Sequence, residues 1–145
     1  MDKPIFPQGF APVQTRGFGG FAGPVMRGED KDGAVFLFDI AEQHLNGDER
    51  LHGGMMMSLA SIVMGEVANL AVAAQDGATA RPLSLNCDFV SAGEPGERVE
   101  GRAEVTRATR SVLFISGELR VGDRILMRAT GVYAIKSSGK AAGRS

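Results

Sequence analysis

The chain has 145 residues, 43% hydrophobic and 23% charged, and a formal net charge of −1 at neutral pH. This length supports one domain with a core large enough to fold without staples. With no excess of Lys and Arg, nucleic acid and anionic membranes are not expected partners; a small molecule or another protein is.

The single cysteine, Cys87, leaves no internal disulfide to form and suits a reducing, cytoplasmic setting. Met1 to Pro7 lacks the unbroken apolar stretch of a signal peptide. Residues 1–23 hold Pro4, Pro7 and Pro12 with isolated Phe6, Phe10, Phe18 and Phe21. They predict an irregular arm, and Gly17, Gly19 and Gly20 argue against a regular helix there. The domain is expected over 24–136. Gly23 to Gly28, the turn Asp32-Gly33 and the run Ala34 to Ile40 predict a hairpin, followed by a polar loop from Ala41 to Leu51.

From about Gly53 to Gln75 the sequence is apolar almost throughout, which predicts one buried helix roughly 35 Å long. Ser58, Ser61, Glu66 and Asn69 interrupt the run and argue against a membrane span. After Gly77 the period changes to two. Leu83, Leu85, Cys87 and Phe89 alternate with polar neighbours, and further strands are expected over 99–106, 111–121 and 124–135. Residues 137–145 predict a polar tail. The expected fold is α+β, a curved antiparallel sheet of five to six strands wrapped around one long central helix. Its open edges predict pairing of at least two copies.

Chemistry concentrates at His52-Gly53-Gly54. A helix first turn presents unpaired N–H groups and partial positive charge, which suit a developing oxyanion; equally, the glycines simply permit a tight entry to the helix. Gly54, Ser58, Ser61, Gly65 and Asn69 share one helix face. That seam permits either close packing or a substrate groove. Glu66 lies about 140° from Ser61 and is off the seam. His44 and His52 have no companion ligands at metal spacing, so no metal site is expected. Ser61 has no nucleophile elbow around it, and no phosphate loop or dinucleotide fingerprint is present. Arg107 and Arg110, in a turn before a strand, are either solvated or placed to meet the phosphates of a ligand.

Asn46, His52-Gly53-Gly54, the long apolar helix, Gly96, Thr109-Arg110-Ser111 and Gly122-Asp123 together carry a family likeness. Over residues 24–136 the chain resembles the hotdog-fold thioesterases, in the phenylacetic-acid-degradation-type branch of the 4-hydroxybenzoyl-CoA thioesterase superfamily. The resemblance implies hydrolysis of acyl-CoA at subunit interfaces of a homodimer or homotetramer, with no cofactor beyond the CoA of the substrate. It gives Asn46 the role of orienting the thioester carbonyl or water. Gly53, with Gly54 beside it, becomes the oxyanion site, and His52 shapes the turn. The catalytic Asp or Glu of the branch stands nine residues after the motif His; here that position is Ser61. Glu49 stands where many members have Gly. Replacement carboxylates are Glu49, Glu66 or Asp88 of the partner subunit. The expectation is an acyl-CoA thioesterase of altered or low activity, the alternative a non-hydrolytic acyl-CoA or acyl-ligand binding protein. The hydratase branch of the fold needs a catalytic His motif absent from this sequence.

Overall fold

The computed structural model describes residues 5–137. Within it the chain runs β1 (Ala11–Val13), α1 (Gly17–Ala22), β2 (Val25–Asp30), β3 (Gly33–Asp39), a 3-10 turn (Glu42–His44), α2 (Gly53–Val72), β4 (Thr79–Phe89), β5 (Arg98–Ala108), β6 (Val112–Val121) and β7 (Arg124–Lys136). The seven strands form one antiparallel sheet in the order β1-β2-β3-β5-β6-β7-β4. The six strands expected after residue 24 are present. A seventh, β1, is added by the arm.

The period-two pattern of the strands decides what meets the helix. Val99, Leu113, Ile115, Leu119, Met127 and Tyr133 point inward and are fully buried, against Leu59, Ala60, Val63 and Met64 of α2. Burying side chains of this size stabilises by roughly 1.5–3 kcal/mol each. The helix comes close because glycines underlie it: a Cβ at Gly117 or Gly131 would meet Met64 at 3.0 or 2.9 Å. Register shifts at Pro82/Ser84, Val105/Arg107 and Leu119/Arg120 bend the strands and curl the sheet around α2. Although α2 is long and apolar enough to cross a membrane, here it is the core helix.

The expected curved sheet around one central helix is present, and it covers one side of α2. The opposite face, from Gly54 through Ser58 and Ser61 to Gly65, is half-buried or exposed, because a single curled sheet cannot surround a helix.

The arm, in turn, is not irregular. Gly17, Gly19 and Gly20 lie inside α1, whose turn closes with Gly20 N–H donating to the Arg16 carbonyl and Gly23 N–H to that of Gly19. Side chains at Gly19 and Gly20 would collide with Gln14 and Thr15, at 2.7 and 2.3 Å. The glycines that weaken helix propensity are what let this short helix fold back on its own lead-in. Ahead of it, Phe10 packs on Gly28 and Phe6 stacks under Arg98 at 4.5 Å, both on the outer face of the sheet. The arm therefore wraps the β1 edge, from the outer face to the helix side. Of the expected polar tail, residues 138–145 lie outside the described residues.

Candidate active site at the first turns of the central helix

The loop before α2 is folded by its own polar groups. Asn46 Oδ1 accepts from the Asp48 and Arg50 N–H groups at 2.9 and 3.1 Å, and Asn46 N–H donates to the Arg50 carbonyl at 2.7 Å. This leaves the Asn46 Nδ2 amide as the group able to donate to a ligand. Glu49 occupies the left-handed region, with φ +58. A non-glycine side chain is strained there.

His44, expected only as part of a polar loop, is buried and structural. Its Nδ1 accepts from Ala41 N–H at 3.0 Å and its Nε2 donates to the Ala22 carbonyl at 2.7 Å. The ring also packs on Phe38, 4.5 Å between centroids. Burial pushes its pKa down, so the neutral ring ties α1 to the loop. His44 also accepts through its carbonyl from His52 N–H at 2.8 Å, which positions the helix start.

His52 is the N-cap of α2, its Nδ1 accepting from Gly54 N–H at 2.8 Å. The bond has two chemical consequences. It occupies the Gly54 donor, so Gly54 does not supply a second N–H for an oxyanion. It also leaves the imidazole proton on Nε2, so His52 offers a donor rather than a base. The Gly53 N–H makes no hydrogen bond among the described residues and carries the positive end of the helix dipole. A Cβ at Gly54 would strike His52 at 2.9 Å, and one at Gly53 would press on Phe89 at 3.2 Å. Both glycines are thus explained locally.

Two clefts open on the uncovered face. One, of about 300 Å³, is lined by Phe18, Phe21, His44, His52, Gly54 and Ser58 among others. The second, of about 500 Å³, is lined by Gln14, Arg16, Phe18, Met57, Ser58 and Ser61 among others. They share Phe18 and Ser58, so the helix start and Ser61, about 10 Å further along the helix, open onto one continuous groove beneath α1. Ser58 Oγ donates to the Gly54 carbonyl at 2.9 Å, whereas Ser61 makes no hydrogen bond among the described residues. The arm residues Gln14, Arg16 and Phe18 are the part of this groove that sequence patterns did not announce. Their chain separation from Ser61 left no periodic signal.

No carboxylate lines either cleft. Glu49 is exposed in the loop. Glu66 accepts from Gln14 Nε2 at 3.3 Å and lies 3.9 Å from Arg27, holding the arm and β2 to the helix. Asp88 sits on the outer face of the sheet, opposite Arg128. Asn46 is outside the lining residues, although the loop it folds leads directly into His52. Arg107 and Arg110 lie at the β5–β6 turn, near the start of β4 and the end of β7. That is the end of the sheet opposite Gly53. Among the described residues, no cluster of His, Cys, Asp and Glu is arranged to hold a metal ion.

A family model described as the thioesterase superfamily matches residues 49–128. A candidate esterase of Pseudomonas aeruginosa is 26% identical over 129 residues, 88% of this chain and 95% of that protein. A candidate thioesterase from Ralstonia eutropha, a phenylacetic acid degradation-related protein, superposes with TM-score 0.66 at 26% identity, covering 86% of this chain and 92% of the other. A Bacillus halodurans protein solved with CoA superposes with TM-score 0.67 at 19% identity, covering 74% and 70%.

Proposed function

The chain belongs to the thioesterase superfamily and has its hotdog fold, and we propose that it binds acyl-CoA in the groove under α1 and hydrolyses the thioester at an attenuated rate. The observation that carries this reading is the Gly53 N–H, without a hydrogen bond among the described residues, at the positive end of α2 and between two residues that line the groove. A thioester carbonyl placed there would have its developing oxyanion stabilised by that N–H and the helix dipole. The Asn46 amide is the second group able to hold the carbonyl or the attacking water. Ser61 occupies the place from which a carboxylate would take a proton from that water. A hydroxyl cannot do so near neutral pH, and loss of a general base costs about 10² to 10⁴ in rate.

The site is completed by a second copy. The eleven residues of β4 form an open sheet edge, with Leu83 64% and Phe89 54% exposed. Two such edges paired antiparallel about a two-fold axis would continue the sheet. They would also carry the partner's β5–β6 turn, with Arg107 and Arg110, to the end where this chain's helix begins. CoA phosphates would then meet those guanidinium groups. CoA in the Bacillus halodurans neighbour supports the ligand class. Free Cys87 supports a cytoplasmic setting.

Ser61 favours a second reading, in which the groove holds an acyl-CoA or acyl ligand without turnover. Calorimetric titration and thiol-release assays on one panel of medium-chain and aromatic acyl-CoAs separate the two. Binding with slow release of free CoA supports the thioesterase reading; binding with none supports the second; no binding defeats both.

A further inference from the structure

The groove beneath α1 changes character along its length. Its near end, beside His52 and Gly54, is bordered by Phe18, Phe21 and Met55. Its far end, beside Ser58 and Ser61, adds Gln14 and Arg16. Among the described residues, Arg16 is the one Lys, Arg, Asp or Glu that lines either cleft. Its guanidinium is not engaged elsewhere: at the residue before α1 it makes no side-chain capping bond, and it enters no ion pair among the described residues. Glu66, the carboxylate that meets the same stretch of the arm, is taken by Gln14 Nε2 at 3.3 Å and by Arg27 at 3.9 Å. Gln14 itself stands at φ +48, in the left-handed region, where it turns the chain out of β1. Its bond to Glu66 then ties the arm to α2.

We propose that the groove selects acyl-CoA whose acyl chain ends in a carboxylate, and that Arg16 receives that carboxylate. The inference rests on the acyl-CoA reading above and names its substrate class. With the thioester carbonyl at the Gly53 N–H, the acyl chain runs along the uncovered face past Phe18, which borders both clefts, toward Ser61. The aromatic wall lies where the methylenes pass. A plain hydrocarbon in the far end would strip water from Arg16, Gln14 and Ser61 without replacing any hydrogen bond, and an ionised group left unpaired is the most costly of the three. A carboxylate instead supplies a charge-assisted bond to the guanidinium fork. It can also accept from the Ser61 hydroxyl, which has no partner among the described residues. From Gly54 to Ser61 the helix rises about 10 Å. An extended chain covers about 1.2 Å per bond, so about eight carbons, with the reach of the guanidinium, span the groove. The serine at position 61 fits the same reading. A carboxylate there would share the far cleft with Arg16, offset its charge and repel an anionic chain end; serine leaves the guanidinium to the substrate.

The test is calorimetric titration of the purified full chain with octanedioyl-CoA and octanoyl-CoA, which differ only in the group that ends the acyl chain. Wild type is expected to bind the first about tenfold more tightly, as for one charge-assisted hydrogen bond at a partly open site. The methyl ester of the octanedioyl chain end keeps length and shape but not charge. It is expected to bind no better than octanoyl-CoA. Arg16→Gln, checked by circular dichroism, is expected to bring the constants for octanedioyl-CoA and octanoyl-CoA within about twofold of each other. Equal binding of the two by wild type, or a methyl ester that binds as tightly as the acid, overturns the proposal and leaves the acyl-CoA reading in place. Both comparisons use wild type alone, so they stand if the variant does not fold. A folded Arg16→Gln that weakens both compounds alike would put the guanidinium on a CoA phosphate, which also overturns the proposal. Binding of none of the three compounds defeats the proposal and the acyl-CoA reading together.

Discussion

Gly53 carries the chemical claim at the smallest scale, and its position allows the backbone donor to be deleted without removing the helix. It is the first residue of α2, where proline is tolerated because the N–H is unpaired anyway. His52, at φ −61 and ψ 134, already has the extended conformation that a residue before proline requires. Gly53→Pro is therefore expected to leave the helical circular dichroism unchanged while lowering kcat for acyl-CoA about 10² to 10³-fold, as for loss of one oxyanion donor. A folded variant with wild-type kcat would remove Gly53 from the mechanism. Gly54 differs from its neighbour although both belong to one motif. The motif itself was visible in the sequence, but that His52 takes up the Gly54 N–H was not, since one side-chain rotamer decides it.

Between elements, His44 does what its place in a polar loop did not suggest. It couples α1 to the start of α2, its ring bonded to the Ala22 carbonyl and its own carbonyl to the His52 N–H. Its pKa is lowered by burial from an ordinary value of 6.5. The unfolded chain thus binds the proton more readily, and the stability contributed by the neutral ring is complete above pH 6.5. It is lost as pH falls below 6.5 toward the lower folded value. Thermal melts from pH 7.5 to 5 are expected to show the loss in wild type and a flatter profile in His44→Ala. That variant should also be about 2–3 kcal/mol less stable at pH 7.5, from one lost buried hydrogen bond and the cavity left behind. Equal pH slopes would contradict the clamp.

The same elements show why part of the fold was legible in advance. α2 and β4 to β7 follow their apolar periods, which are local. α1 runs against glycine propensity because its packing partners, Gln14 and Thr15, set the turn. The crossing of the arm from Phe6 on the outer face to Phe18 in the groove is a property of the assembled sheet, which no short window of sequence contains.

At the scale of the whole molecule, one curled sheet leaves both a helix face and the β4 edge open, and the proposed function uses the two together. Charging the edge with Leu83→Lys and Val90→Lys is expected to split the edge-paired dimer, read as a halved mass, and to lower acyl-CoA turnover with it. Retained turnover in a monomer would show that the second copy is not needed. The Ser61 position then decides between slow hydrolysis and binding alone. The most direct measurement is steady-state hydrolysis of one acyl-CoA panel by wild type and by Ser61→Asp. Wild type is predicted to turn over measurably above background, and Ser61→Asp to raise kcat by about 10² to 10⁴ through the restored general base. A wild-type rate equal to or above that of Ser61→Asp would contradict the account.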